Sequence, residues 1–211
     1  ITLKILRVFP SRTKATPDDI DCRYDVPGMF DDDYADEIHI STTFTWDIPR
    51  AEFLASAWSG RGKVLLNGPA FGCRGGEFTP GMYLKRGYVI TSRGCPNRCW
   101  FCAVPRREGR TIRELEVKDG YNILDSNLLA CSDDHIKAVF EMLSRQKEHA
   151  EFTGGLEAKR IEDWHVEALK NLKPRPKQIF LAYDTDDDYE PLEIASEKLI
   201  RAGFRYFNIA C

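Results

Sequence analysis

The chain has 211 residues, 43% of them hydrophobic and 30% charged, with a formal net charge of −3 at pH 7. Such a length suits one large domain, or one domain with a smaller lead-in, and the apolar content is enough for a packed core. The charge gives no global basic field of the kind that marks nucleic-acid binders, and no apolar run approaches the roughly 18 residues of a membrane helix. The N-terminal apolar stretch, Ile5 to Phe9, is short and carries no cleavage signature, so a soluble, cytoplasmic protein is expected.

Residues 1–35 are rich in Pro, Asp and Gly. Leu3 to Phe9 reads as a strand and Pro17 to Tyr34 as a long irregular segment. Ile38 to Phe44 is a strand candidate rich in β-branched residues. Pro49 opens a helix with Phe53, Leu54 and Ala57 on one face, and Gly60 and Gly62 end it. Lys63 to Asn67 is a further apolar strand, so this part reads as a small β-α-β unit followed by a Gly-rich loop.

From Gly87 the pattern becomes regular. Tyr88 to Thr91 reads as a strand running straight into a cysteine-rich loop, and Asn122 to Leu124 as another. Ser132 or Asp133 caps a helix with Ile136, Val139, Phe140 and Leu143 inward. Phe152 to Leu156 is the next expected strand. A helix follows with Ile161, Trp164, Ala168, Leu169 and Leu172 inward, broken by Pro174 and Pro176. Gln178 to Asp184 is a strand. Glu190 and Pro191 open a helix with Leu192, Ala195, Leu199 and Ala202 on one face, and Gly203 caps it. Tyr206 to Ala210 is a final strand. This alternation predicts parallel βα units, with functional groups at the carboxyl ends of the strands. The cysteine loop, Asp125, Glu157 and Asp184 all fall at such ends.

Of the cysteines at positions 22, 73, 95, 99, 102, 131 and 211, three fall within eight residues, which suits reduced thiols and one metal site better than a disulfide framework. The loop reads SRGCPNRCWFCAVP, with Cys95, Cys99 and Cys102 as soft ligands for an iron–sulfur cluster or zinc. A closed zinc site wants four ligands, and no histidine or fourth cysteine stands in the loop. A zinc knuckle completed from afar by His135 or Cys131 is one reading. A four-iron cluster with one open iron is the other.

CPNRCWFC resembles the CxxxCxxC loop of the radical S-adenosylmethionine (SAM) superfamily, down to the aromatic residue before the last cysteine. The resemblance covers about residues 87–211. It implies a partial (βα) barrel whose three cysteines hold a [4Fe–4S] cluster. The open iron would chelate SAM, and reductive cleavage would give a 5′-deoxyadenosyl radical that abstracts hydrogen from a substrate. It places Phe101 against the adenine. Asp125 and Asn127, in LDSNLLA, resemble an acidic segment of cobalamin-linked and related subgroups and are candidates for the SAM amino group. Glu157, in FTGGLEAKR, and Asp184, ending QIFLAYD, are candidates for the ribose or substrate. The alternatives are a non-catalytic zinc or iron–sulfur module, or a degenerate member that binds SAM without cleaving it.

Residues 1–86 resemble a reduced Rossmann-like lead-in of the cobalamin-dependent subgroup. Its DxHxxG signature is absent, so His39 reads as a structural strand residue. Methylthiotransferases need three cysteines in this region, and only Cys22 and Cys73 are present. Fewer βα units than a full radical SAM core fit between Tyr88 and Cys211, so a C-terminally incomplete core is expected. The basic run at Arg106, Arg107, Arg110, Arg113 and Lys118 reads first as solvated surface. It also suits an acidic electron donor such as a flavodoxin, or a phosphate-bearing substrate such as RNA. No motif names the substrate.

Overall fold

Four short strands of the N-terminal part pair in parallel: β1 (Ile5–Val8), β2 (Cys22–Arg23), β3 (Glu37–Ser41) and β4 (Lys63–Asn67), in the spatial order β2-β1-β3-β4. The computed structural model describes residues 3–30 and 32–211. Ile1, Thr2 and Asp31, which fall in the expected lead-in, lie outside the described residues. The chain folds as two units. The first takes residues up to Arg74 with Gly81–Lys85, and the second takes Gly75–Pro80 with Arg86–Cys211. The whole is mixed α/β, with a small parallel sheet and helices. No helix among the described residues is long and apolar enough to cross a membrane.

In the first unit Leu6, Val8, Ile38 and Ile40 are fully buried. Helix α1 (Ile48–Trp58) makes the crossover from β3 to β4, with Pro49 in the first turn, where its missing N–H breaks no bond. Its buried residues are Ala51, Leu54 and Trp58, which recur at the i, i+3, i+7 spacing of one face. The expected inward face is thereby corrected: Phe53 is exposed, because the stripe that reaches Trp58 leaves it pointing outward. The Trp58 indole also donates to the Asp25 carbonyl at 3.0 Å. Strand β3 stops at Ser41, short of the expected Phe44, because its partner β4 ends at Asn67 and a 3₁₀ turn at Thr45–Asp47 leads into α1. His39 sits within β3 with both ring nitrogens engaged, by the Tyr83 hydroxyl at 2.6 Å and the Glu37 carboxylate at 2.9 Å.

The second unit contains β5 (Tyr88–Val89), β6 (Ser92–Arg93), α2 (Val104–Arg107), β7 (Arg113–Glu114), β8 (Asn122–Ile123), α3 (Asp133–Ser144), α4 (Asp163–Asn171), β9 (Ile179–Phe180), α5 (Tyr189–Arg201) and β10 (Ile209–Ala210). Its parallel neighbours follow chain order. β5 pairs with β8, β8 bridges Glu151 through Asn122, Leu156 bridges Leu181 beyond β9, and β9 pairs with β10. The expected strand Phe152–Leu156 is not formed. Isolated bridges form at Glu151, just ahead of it, and at its last residue Leu156, and the Gly154–Gly155 turn between them breaks the ladder. The expected strand Gln178–Asp184 contracts to β9 and its bridge, and Tyr206–Asn208 is a 3₁₀ turn ahead of β10. Helix α3 buries Ile136, Val139, Phe140 and Leu143 as its spacing predicts, and the Ser132 hydroxyl caps it by accepting from the His135 amide. Along α4, His165 and Val166 take buried positions beside Leu169, while Trp164 is only half-buried.

Trp58→Ala is expected to cost the first unit about 3–5 kcal/mol, through a large cavity and a lost hydrogen bond, and Trp58→Phe about 1–2 kcal/mol. Urea unfolding followed by circular dichroism checks both. Equal, small losses would show that the indole is not the keystone of this core.

Candidate functional site

The cysteine loop does not follow β5 directly, as its sequence suggested. It leaves from β6 and returns to β7, which pair antiparallel with Ser92 opposite Glu114 and Arg93 opposite Arg113. Two like charges facing each other across a ladder repel. The buried carboxylate of Glu108 answers them. It lies 2.9 Å from the Arg113 guanidinium, 3.2 Å from that of Arg107 and 3.7 Å from that of Arg93, and it also accepts the Gly75 amide. At the loop entrance Gly94 has φ 90°, and a Cβ there would lie 2.4 Å from the Thr111 carbonyl. Only glycine takes this position without strain.

Within the loop the Cys102 amide donates to the Cys99 carbonyl at 3.1 Å, which closes a tight turn between the two cysteines. Cys95 is buried, while Cys99 and Cys102 are half-buried, and all three are free thiols. Burial raises the Cys99 thiol above its ordinary value, and the neighbouring Cys102, Asp184 and Cys95 add to the shift. Thus all three thiols and Asp184 share one neighbourhood. A mononuclear zinc with Zn–S bonds of about 2.3 Å would draw thiolates to about 4 Å of one another. Among the described residues, the group of potential ligand atoms that closes within 4.8 Å is instead Asp125, Cys131 and His135. The two residues that would complete a zinc knuckle from afar therefore turn to Asp125.

Asn127 and Glu157 meet beside Cys95. The Asn127 amide nitrogen donates to Glu157 Oε2 at 2.6 Å and lies 3.6 Å from the Cys95 sulfur. An amide NH₂ carries two donors, so both contacts form at once. Arg160 Nε donates to the same Glu157 oxygen at 2.6 Å. Burial pushes the Glu157 carboxyl up, but hydrogen bonds from Asn127, Asn97, Lys159 and Arg160 outweigh it and leave the group below its ordinary value. Two buried acceptors stay without a directed hydrogen bond, Asn127 Oδ1 and Glu157 Oε1. The latter has the Lys159 ammonium 3.2 Å away as an ion pair.

Asp125, named with Asn127 from the same short segment, faces elsewhere. Its carboxylate is buried and accepts from the Thr91 amide at 2.6 Å, the Thr91 hydroxyl at 2.7 Å and the Ser92 hydroxyl at 2.6 Å. The His135 ring reaches the same Thr91 hydroxyl at 3.2 Å, and burial pushes the Cys131 thiol up to about 12. Of the Gly-Gly pair, Gly154 packs against the Asp125 backbone and Gly155 has open space around it. A Cβ on Gly154 would lie 2.2 Å from the Asp125 carbonyl, so its close approach is to backbone. Asp184 is exposed, and its amide donates to the Asp188 carboxylate at 3.1 Å. Phe101 is half-exposed, edge-on to the exposed Trp100 at 5.5 Å. Of the basic run, Arg107 and Arg113 bind Glu108, and Lys118 pairs with Glu116 at 2.5 Å. Arg106 and Arg110 remain exposed, as does Arg98 within the loop.

Sequence reasoning missed Thr91, Ser92, Asn97, Glu108, Lys159 and Arg160. Lys159 and Arg160 stand two and three residues past Glu157, near enough to have been read as its counter-charges. Arg107 precedes Glu108 directly, but the partners across the loop, Arg93 and Arg113, carry no local signal. Compared with known protein families and with characterised protein sequences, the chain matches none.

Asp125→Ala removes the acceptor of three hydrogen bonds and is expected to cost about 3 kcal/mol, whereas Asp125→Asn keeps an acceptor and costs less. Burial raises the Asp125 carboxyl, against hydrogen bonds from Ser92 and Thr91. Its stabilising effect is therefore fullest below the ordinary value of about 3.9 and fades as pH rises through the raised one. Urea unfolding of wild type and Asp125→Asn between about pH 4 and about pH 7 should show the gap narrowing upward. A gap that widens would contradict the assignment.

Proposed function

We propose that the second unit is a radical SAM core. The observation that carries this is the presence of three free thiols on one loop, with the Asn127 amide 3.6 Å from the Cys95 sulfur, its Oδ1 without a partner, and Glu157 hydrogen-bonded to that amide. The donor set fits the cofactor. Three soft thiolates suit a [4Fe–4S] cluster with one iron left open, and the fourth ligand that structural zinc would need is drawn off to Asp125. Cys95, Cys99 and Cys102 would hold the cluster. When bound, it supplies the electron that cleaves SAM to methionine and a 5′-deoxyadenosyl radical, which takes hydrogen from a substrate of unassigned identity.

The chain's own residues bind and orient. Asn127 and Glu157 present acceptors suited to the SAM ammonium, and Glu157 stays ionised at neutral pH because its hydrogen bonds favour the charged form. Lys159 and Arg160 hold that carboxylate in place. Phe101 offers a ring face to adenine at the loop's rim, and Asp184 an acceptor for the ribose. Asp125 supports the site from beneath through Thr91 and Ser92. The chain-ordered parallel neighbours from β5 to β10 would form one arc of a (βα) barrel. Exposed Arg98, Arg106 and Arg110 suit docking by an acidic electron donor such as a flavodoxin.

Anaerobic reconstitution tests the proposal. About four irons per chain, a cluster signal that shifts on adding SAM, and release of 5′-deoxyadenosine are expected. Glu157→Gln should weaken SAM binding about tenfold without changing iron content, while Cys99→Ala should abolish the cluster. Stoichiometric zinc with no iron uptake would overturn the proposal in favour of a zinc module. Donor-driven SAM cleavage is expected to slow as salt rises, and a rate indifferent to ionic strength would remove the docking role of the arginines.

A further inference from the structure

The first unit gathers polar and aromatic groups that play no part in the cluster site. In the sheet order β2-β1-β3-β4 the chain leaves β1 for one side and returns as β3 on the other. The loops that follow two such strands part from each other, and parallel α/β sheets bind ligands in the crevice this opens at the carboxyl ends. A shallow cleft lies there, about 30 Å³ where it is enclosed and otherwise open to solvent, so a ligand would lie across its mouth. The loop after β1 lines it with Ser11, Thr13 and Thr16, the end of β3 with Ser41 and Thr43, and the returning segment with Tyr83.

Each wall is held in place. The Thr13 amide donates to the Thr16 hydroxyl at 2.8 Å, the two hydroxyls lie 3.1 Å apart, and the Ala15 amide donates to Thr13 Oγ1 at 3.2 Å. Arg50 Nε pins the same loop through the Pro10 carbonyl at 3.0 Å. The Tyr83 hydroxyl is fixed by His39, His39 by Glu37, and Glu37 by Lys63 at 3.0 Å. Phe44, also in the lining, stacks on Trp46 with ring centroids 4.6 Å apart and planes 7° from parallel, and Trp46 is 74% exposed. A flat, exposed indole is a platform for another planar ring. Arg12, over the Tyr24 ring, and Lys14 are exposed on the β1 loop, whose Asp18 and Asp19 are answered by Lys85 and Arg7, while the one carboxylate in the lining, Asp47, stands on the turn that carries Trp46. An anionic group is therefore favoured at the β1 loop, and a sugar hydroxyl can donate to Asp47.

We propose that this crevice binds a mononucleotide, with its ring against Phe44 and Trp46 and its phosphate at the hydroxyls of Ser11, Thr13 and Thr16. Flavin and purine nucleotides share that chemistry, and the test separates them. Calorimetric titration of the full chain with FMN, AMP and inorganic phosphate should give a Kd of tens of micromolar for one of the nucleotides, with phosphate alone at least about tenfold weaker. Trp46→Ala and Ser11→Glu should each weaken the nucleotide about tenfold, with unchanged circular dichroism and unchanged iron uptake by the three loop cysteines. No binding of FMN or AMP at about 1 mM to the folded chain would overturn the proposal. Unchanged affinity in Ser11→Glu would overturn it too, and phosphate binding as tightly as the nucleotides would remove the ring's role.

Discussion

One buried carboxylate sets the geometry on which the candidate site depends. The strands of the second unit are two residues long, and ladders that short hold few hydrogen bonds. Asp125 supplies what they lack. It ties the end of β8 to Thr91 and Ser92, on either side of the step from β5 to β6, and its own carbonyl is packed against Gly154. Two strand ends and the Gly154 turn are thereby held side by side. Cys95 stands three residues past Ser92, Asn127 two past Asp125, and Glu157 three past Gly154. Those short offsets from a common clasp bring the thiol, the amide and the carboxylate together. The same burial that makes Asp125 effective as a clasp also makes its charge costly, which only its three donors offset.

The loop above the clasp is closed by opposite charges rather than by apolar packing. Arg93 and Arg113 face each other where the loop leaves and returns, and Glu108 lies buried among them with Arg107. Breaking a buried pair by removing one partner is far more damaging than the pair is stabilising, so such a closure specifies one loop conformation more than it adds stability. Glu157 repeats the device at smaller scale, with Lys159 and Arg160 following it in sequence.

Helices α1, α3, α4 and α5 and the cysteine loop were legible in the sequence because each carries its own local signal, whereas the single turn of α2 was not. The i, i+3, i+4, i+7 stripe of α3 and its Ser132 cap appear where expected, as do β1, β3, β4 and the crossover helix of the lead-in, whereas β2 lies in the segment read as irregular. Facing was harder to read: Phe53 and Trp58 are both large and apolar, and only the sheet beneath α1 decides which is buried. The strands of the second unit were overestimated, because a run of apolar and aromatic residues reports burial and not ladder length. At the site, Asp125 and Asn127 looked alike as neighbours at a strand end. Their opposite facings depend on Thr91 and Ser92, more than thirty residues away, and no local pattern announces such a partner. The Gly154–Gly155 pair suggested room for a ligand, yet the room at Gly154 is filled by the Asp125 backbone.

The path of the chain between the units limits how the protein can be divided. Gly75–Pro80 groups with the second unit although Gly81–Lys85, which follow, group with the first. Glu108 holds the amide of Gly75, and Arg113 and Arg93 donate to the carbonyls of Gly75 and Gly76. A truncation that begins at the regular βα pattern near Gly87 would discard these anchors along with the lead-in. The arginines would then lose backbone acceptors, and the base of the cysteine loop would lose part of its floor. The smallest independently folding piece that keeps the loop closed therefore starts ahead of Gly75, and limited proteolysis after Arg86 would release a fragment already missing part of its own interior.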